Sequence, residues 1–310
     1  MSKKSLRIAY FGTPDFATKP LEVLLENNFD VCVVVSQPDR RKGRGKKISE
    51  PEVKSIARKY ELPILQPERI NAEFIQQLAE YDADYFVVCA YGKILPEKLI
   101  NLPKYTLNIH ASLLPKYRGA SPIHAAILHG EKQTGVSIMK IVKELDAGDV
   151  MLQKSILIDD ADTTESLSAK LSDVGASALI EALQIIENKE EIWIEQDHKN
   201  ASYAHKITPE SAYIHWDQSA TAIDRHIRAY CPEPGAFTFI NDEKIKILEA
   251  HKSELEINQK PGYIQTGKKT LHIQTKDKAI EIIKIQRAGK NAQTVVDFLN
   301  GYRKELQWCT

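Results

Sequence analysis

The sequence predicts an α/β domain built on a mainly parallel sheet, followed by a small all-β domain. Apolar runs of five to seven residues alternate with stretches of helical period through the first 150 residues. One long helical stretch then closes that pattern. From about residue 207 the texture changes to short alternating runs separated by turn residues. Apolar strands interleaved with amphipathic helices make βαβ units. Short strands at close spacing make a barrel or a sandwich.

The elements follow in order. LRIAYFG (6–12) is a strand ending in Gly, and residues 14–28 carry Phe16, Ala17, Leu21, Leu24 and Leu25 at helical spacing. DVCVVVS (30–36) is a second buried strand, residues 50–60 and 71–80 are helices, and DYFVVCA (84–90) is a third strand. TLNIH (106–110), a helix over 122–129 and GVSIMKI (135–141) come next. Thr163 and Thr164, followed by Glu165, open a long helix that runs to Asn188. The helical period is then lost, so 190–206 reads as a linker between a first domain (1–189) and a second (207–310). In the second, AFTFI (236–240), KIKILEA (244–250), TLHIQT (270–275) and AIEIIKI (279–285) read as strands.

Composition narrows the function classes. No apolar run approaches the roughly 18–20 residues a membrane span needs, and the polar start argues against a secretory signal. Cys32, Cys89, Cys231 and Cys309 are scattered, with no zinc-like spacing, and fit a reducing cytoplasm without disulfides. Lys+Arg and Asp+Glu both number 42, so the formal net charge is zero. That zero is a cancellation. Residues 1–150 hold 22 basic and 18 acidic residues, 151–200 hold 4 and 11, and 201–310 hold 16 and 13.

Two phosphate-loop readings fail. GYIQTGKK (262–269) has Lys269 where a Walker loop needs Ser or Thr, and no helix follows it. After the first strand a single Gly12 stands where a dinucleotide fold carries three glycines, so the sheet is Rossmann-like without its fingerprint. The stretch QPDRRKGRGKK (37–47) is more informative. Arg40, Arg41, Lys42, Arg44, Lys46 and Lys47 concentrate six positive charges in eight residues, with Gly43 and Gly45 between them. Such a loop after a strand sits where ligands bind in parallel sheets and suits RNA or another polyanion. A solvated charged loop would look the same.

Asn108 and His110 share one strand face at period two. A carboxamide can donate to a developing oxyanion, and an imidazole can move protons near neutral pH. Asp146, in LDAGD after another strand, could orient that imidazole. Spacing alone is met slightly better by a satisfied structural histidine and a turn aspartate.

The motifs FGTPDFA (11–17), QPDRRKGRGKK (37–47), AYGKILP (90–96), NIHASLLPKYRGASPI (108–123) and LDAGDV (145–150), with YAHKIT (203–208), IRAYCPEPGAFT (227–238) and the QRAGKN…DFLNG stretch (286–301), occur in that order. Along essentially its whole length the chain resembles the methionyl-tRNA formyltransferase family of 10-formyltetrahydrofolate-dependent enzymes. The resemblance implies a Rossmann-like formyltransferase domain followed by an OB-like barrel that helps hold tRNA. It places the catalytic set on Asn108, His110 and Asp146, and the folate-contacting loop on Ser112, Leu113, Leu114 and Pro115. It places a tRNA-reaching arginine on Arg44, within the basic run 40–47. It further implies 10-formyltetrahydrofolate as formyl donor, no metal, methionyl initiator tRNA as partner, and a cytoplasmic monomer. The sequence departs from the family at Glu233, where an aromatic is common, and in GKNAQTV, which lacks a frequent methionine. Three other readings share the catalytic set or its domain: formylation of a small amine such as a nucleotide-linked amino sugar, hydrolysis of the folate, and a non-catalytic RNA-binding protein.

Overall fold

The structure, a computed structural model, describes residues 6–42 and 47–310, with the backbone alone at 41, 42 and 47. The chain divides into two compact units. The first comprises 1–122, 133–157 and 168–204, and the second 123–132, 158–167 and 205–310.

The first unit runs β1 (Arg7–Gly12), α1 (Thr18–Glu26), β2 (Asp30–Val35), β3 (Arg40–Lys42), β4 (Lys47–Ser49), α2 (Glu52–Lys59), β5 (Ile64–Leu65), α3 (Ala72–Ala79), β6 (Tyr85–Cys89), α4 (Glu97–Ile100), β7 (Tyr105–His110) and β8 (Arg118–Gly119). After α5 (Pro122–His129) it continues with β9 (Gln133–Lys140), β10 (Val150–Leu157), α6 (Thr164–Asn188) and β11 (Tyr203–Ala204). A seven-stranded sheet has the order β10-β9-β7-β6-β1-β2-β5. Its β5, β2, β1, β6 and β7 are mutually parallel, and β9 and β10 add antiparallel. The chain leaves β1 toward β2 on one side and returns to β6 on the other. That reversal opens a crevice at the carboxyl ends of the strands.

Strand alternation decides which residues face that crevice. Asn108 pairs with Val88 in register, so both point to the face where Phe74 and Leu78 of α3 and Leu99 of α4 bury with Phe11 and Phe86. Ile109 points the other way. There Gly175 of α6 comes so close that a Cβ would stand 3.0 Å from the Ile109 side chain. A larger residue at 175 would push β7 toward the site. The sequence pattern does not mark strand β10. Its sequence VMLQKSIL interleaves polar with apolar residues, most of them half-buried or exposed at the sheet edge, and so lacks the apolar run that marks β1, β2 and β6.

Within the stretch 190–206, expected to connect the domains, residues 190–204 make bonds of their own within the first unit. Val150 and Ile194 exchange backbone hydrogen bonds, and β11 pairs parallel with β8. Ser202 Oγ accepts the Tyr117 N–H at 2.9 Å.

In the second unit, β12 (Phe237–Ile240), β13 (Glu243–Lys252), β14 (Ile264–Thr266), β15 (Leu271–Gln274), β16 (Ala279–Arg287) and β17 (Ala292–Thr294) make a six-stranded antiparallel sheet. Two helices accompany it, α7 (Ala220–Tyr230) and α8 (Val295–Gly301). The sequence contains their signals. Ser219 caps α7, whose Ile223, Ile227 and Tyr230 bury at helical spacing, and Thr294 caps α8.

Candidate active site

Three segments of the first unit converge beyond the carboxyl end of β7. The strand supplies half-buried Asn108 and the His110 ring, which is 5% exposed. The Nε2 of His110 lies 2.9 Å from the Tyr117 carbonyl. A carbonyl only accepts, so Nε2 carries a proton and Nδ1 is the ring atom free to exchange one. Nδ1 faces Asp146 Oδ2 at 3.6 Å.

Asp146 comes from the turn between β9 and β10 and holds a left-handed backbone (φ +47°), a conformation Asp tolerates better than most residues. Its Oδ2 accepts the Gly119 N–H at 2.7 Å, which fixes the carboxylate beside the ring. Two residues on, a Cβ at Gly148 would lie 2.1 Å from the Lys140 carbonyl. Only glycine lets the turn fold back this tightly on β9.

The loop Ser112–Pro115 leaves β7 directly. Ser137 of β9, opposite His110 in register, holds it: its Oγ donates to the Ser112 carbonyl (2.7 Å) and accepts from the Leu114 N–H (3.1 Å). Gln153 Nε2 adds bonds to the Leu114 carbonyl (2.9 Å) and to Ser137 Oγ (2.8 Å). Ser112 Oγ donates to the Lys116 carbonyl at 2.6 Å. Ser112 and Leu114 are buried, while Leu113 and Pro115 are half-buried. Ser137 had a sequence signal, as a lone hydroxyl inside the apolar run GVSIMKI.

The basic stretch forms a hairpin, β3 pairing antiparallel with β4. Arg44 and Lys46 lie outside the described residues, as do the side chains of Arg41, Lys42 and Lys47. Arg40 is exposed and donates to Gln37 Oε1 at 2.5 Å. Gln37 Nε2 in turn donates to the Tyr91 carbonyl at 2.8 Å. Buried Lys54 holds Asp39 with two 2.8 Å contacts, and with Gln66 it keeps that carboxyl below the usual carboxylate range. The hairpin therefore leaves the carboxyl end of β2 from a braced base. That strand is three positions from β7, about 14 Å at ordinary strand spacing.

Behind Asp146 stand two residues that the sequence does not single out. Arg118 and Gln196 are buried, and the Arg118 Nε and Nη2 both donate to Gln196 Oε1 (3.1 and 2.8 Å). Gln196 lies in an aperiodic stretch, and nothing in the sequence marks it. All four cysteines are free. Among the described residues no group of three or more His, Cys, Asp or Glu is arranged to hold a metal, and no helix is long and apolar enough to cross a membrane.

The arrangement can stabilise an oxyanion at Asn108 and exchange a proton at His110 beside a fixed carboxylate, which suits acyl transfer. The chain matches the formyl transferase family over residues 6–183 and the formyl transferase C-terminal domain over 206–303. It therefore belongs to the formyl transferases. Its relatives narrow the class. It is 41% identical to methionyl-tRNA formyltransferase of Caldanaerobacter subterraneus over 96% of this chain and 97% of the relative. It is 43% identical to methionyl-tRNA formyltransferase of a Sulfurihydrogenibium species, with the same coverages. These place it among the methionyl-tRNA formyltransferases. The fold is shared with WlaRD, a sugar 3N-formyl transferase solved in the presence of dTDP and 5-N-formyl-THF. The TM-score is 0.68 and the identity 23%, over 92% of this chain and 99% of that one.

Proposed function

We propose that the chain transfers the formyl group of 10-formyltetrahydrofolate to the α-amine of methionyl initiator tRNA, as a monomer in the cytoplasm. One observation supports this above the rest: the Asn108–His110–Asp146 arrangement occurs in a chain whose full-length relatives are methionyl-tRNA formyltransferases. That kinship favours the tRNA acceptor over a small sugar amine.

The donor lies along Ser112–Pro115, which Ser137 and Gln153 hold in shape. Asn108 donates its amide N–H to the formyl oxygen as charge builds there. His110 carries a proton at Nδ1 from the attacking amine toward the departing N10 of the folate, and Asp146 stabilises the charged ring. The amine attacks in its neutral form, so turnover falls in acid. Arg40, Arg41, Lys42, Arg44, Lys46 and Lys47 engage the phosphates of the tRNA. The testing assay supplies 10-formyltetrahydrofolate with methionyl-tRNA, and with uncharged tRNA as control. Formyl-methionyl-tRNA forms only with the charged species. Consumption of the folate at equal rates with either one would show water to be the acceptor and overturn the reading.

A further inference from the structure

We propose that Gln196 and Arg118 are positioning residues that set the orientation of Asp146 toward His110. This rests on the formyl-transfer reading above and extends it to residues outside the three-residue set.

The geometry is a closed ring of bonds. Gly119 N–H donates to Asp146 Oδ2 at 2.7 Å. Arg118, the preceding residue, directs its guanidinium to Gln196 Oε1. Gln196 Nε2 then donates to the carbonyls of Asp146 (2.9 Å) and Gly148 (2.7 Å). One segment thus grips the Asp146 carboxylate through Gly119, and through Arg118 and Gln196 the same segment grips the Asp146 main chain. Side chain and backbone cannot rotate relative to each other without breaking the ring. That constraint matters because φ at Asp146 is +47° and the turn that carries it is closed by a long bond, Ala147 N–H to the Glu144 carbonyl at 3.3 Å.

Burial makes the ring stiff. Arg118 is 3% exposed and Gln196 6%, so an N–H or carbonyl released from either finds little water. Arg118 Nη2 also meets His198 Nδ1 at 3.0 Å, and because a guanidinium only donates, that nitrogen accepts. The main chain closes over the assembly: Arg118 N–H donates to the Ser202 carbonyl and Ala120 N–H to the Ala204 carbonyl. The stretch 196–204 therefore works as a brace on the Asp146 main chain and on the 118–120 segment.

Glutamine is chosen here for having one acceptor and one donor end. Gln196→Glu keeps the acceptor for Arg118, now charge-assisted, and loses the donor to both carbonyls. It tests the ring without emptying the site. Steady-state formyl transfer by wild type, Gln196→Glu, Arg118→Lys, Asp146→Ala and the Gln196→Glu/Asp146→Ala pair decides the matter, with thermal unfolding of each. Positioning predicts that Gln196→Glu lowers kcat roughly tenfold to a hundredfold, with KM for folate and methionyl-tRNA within about twofold. Arg118→Lys, which keeps the charge but not the fork, falls between Gln196→Glu and wild type. In the Asp146→Ala background Gln196→Glu costs nothing further, because the residue it orients is gone. An unchanged kcat, or an equal loss with and without Asp146, overturns the positioning role. Absence of transfer by wild type overturns the functional reading instead.

Discussion

His110 Nδ1 and Asp146 Oδ2 stand 3.6 Å apart, about half an ångström beyond a normal N–H···O bond. The other ring nitrogen is already held by the Tyr117 carbonyl. The pair is therefore aligned but not hydrogen-bonded, which leaves Nδ1 the ring atom that can exchange a proton. Asp146→Asn keeps an oxygen for Gly119 while removing the charge that favours a protonated ring. It should lower kcat by roughly 10²-fold or more, the scale of general acid–base contributions, with KM for both substrates little changed. Steady-state kinetics with a thermal melt reads this directly.

In the proposed reaction Asn108 acts on the oxygen rather than on the proton. Asn108→Ala should cost about 10²–10³ in kcat, as removal of one oxyanion donor does elsewhere. Asn108 is only half-buried, so the variant should fold normally, and the loss should persist across pH where the His110 and Asp146 variants alter the profile.

Ser137→Ala separates the proposed folate-contacting loop, Ser112–Pro115, from the chemistry. Its hydroxyl is fully buried and serves Ser112, Leu114 and Gln153 together. Removing it leaves buried polar groups unsatisfied, at about 1–3 kcal/mol. Urea unfolding should show that loss, and KM for 10-formyltetrahydrofolate should rise while KM for methionyl-tRNA holds. A rise in the tRNA KM alone would contradict the placement of the loop.

Alkaline unfolding tests the core beneath the site. Burial pushes the Tyr91 hydroxyl and the Cys89 thiol each up to about 12. Their ordinary values are 10.0 and 9.0, so the unfolded chain releases these protons first. Their contribution is complete below pH 9 and is lost as pH climbs toward 12. The urea midpoint should fall across that window, and Tyr91→Phe should flatten the fall above pH 10. The Tyr91 hydroxyl has no partner among the described residues. Tyr91→Phe should therefore be neutral or slightly stabilising at pH 7.

The sequence showed the parallel core because β1, β2 and β6 bury both faces and so read as unbroken apolar runs. It also showed the spacing of Asn108 and His110, which a strand turns into a shared face. It hid β10, whose edge position leaves a mixed pattern, and it hid Gln196, whose importance comes from three partners distant in sequence. Long-range polar rings leave no period. Helix α7 has a cap at Ser219 and apolar residues at helical spacing, but it lies among strand-like runs.

Salt dependence examines the basic hairpin. Affinity for methionyl-tRNA should fall linearly in log–log terms with salt, with a slope set by a handful of phosphates. Arg44→Ala should reduce that slope by about one and leave folate binding intact. An unaltered slope would remove the hairpin from the RNA interface.

Single-turnover transfer from 10-formyltetrahydrofolate to methionyl-tRNA, run with saturating His110→Ala and with wild-type protein, bears on the central assignment without interference from product release. Wild type should form formyl-methionyl-tRNA rapidly. His110→Ala, folded and binding both substrates, should be slower by about 10²–10⁴. A His110→Ala rate within a few-fold of wild type would show that the proton moves through some other group.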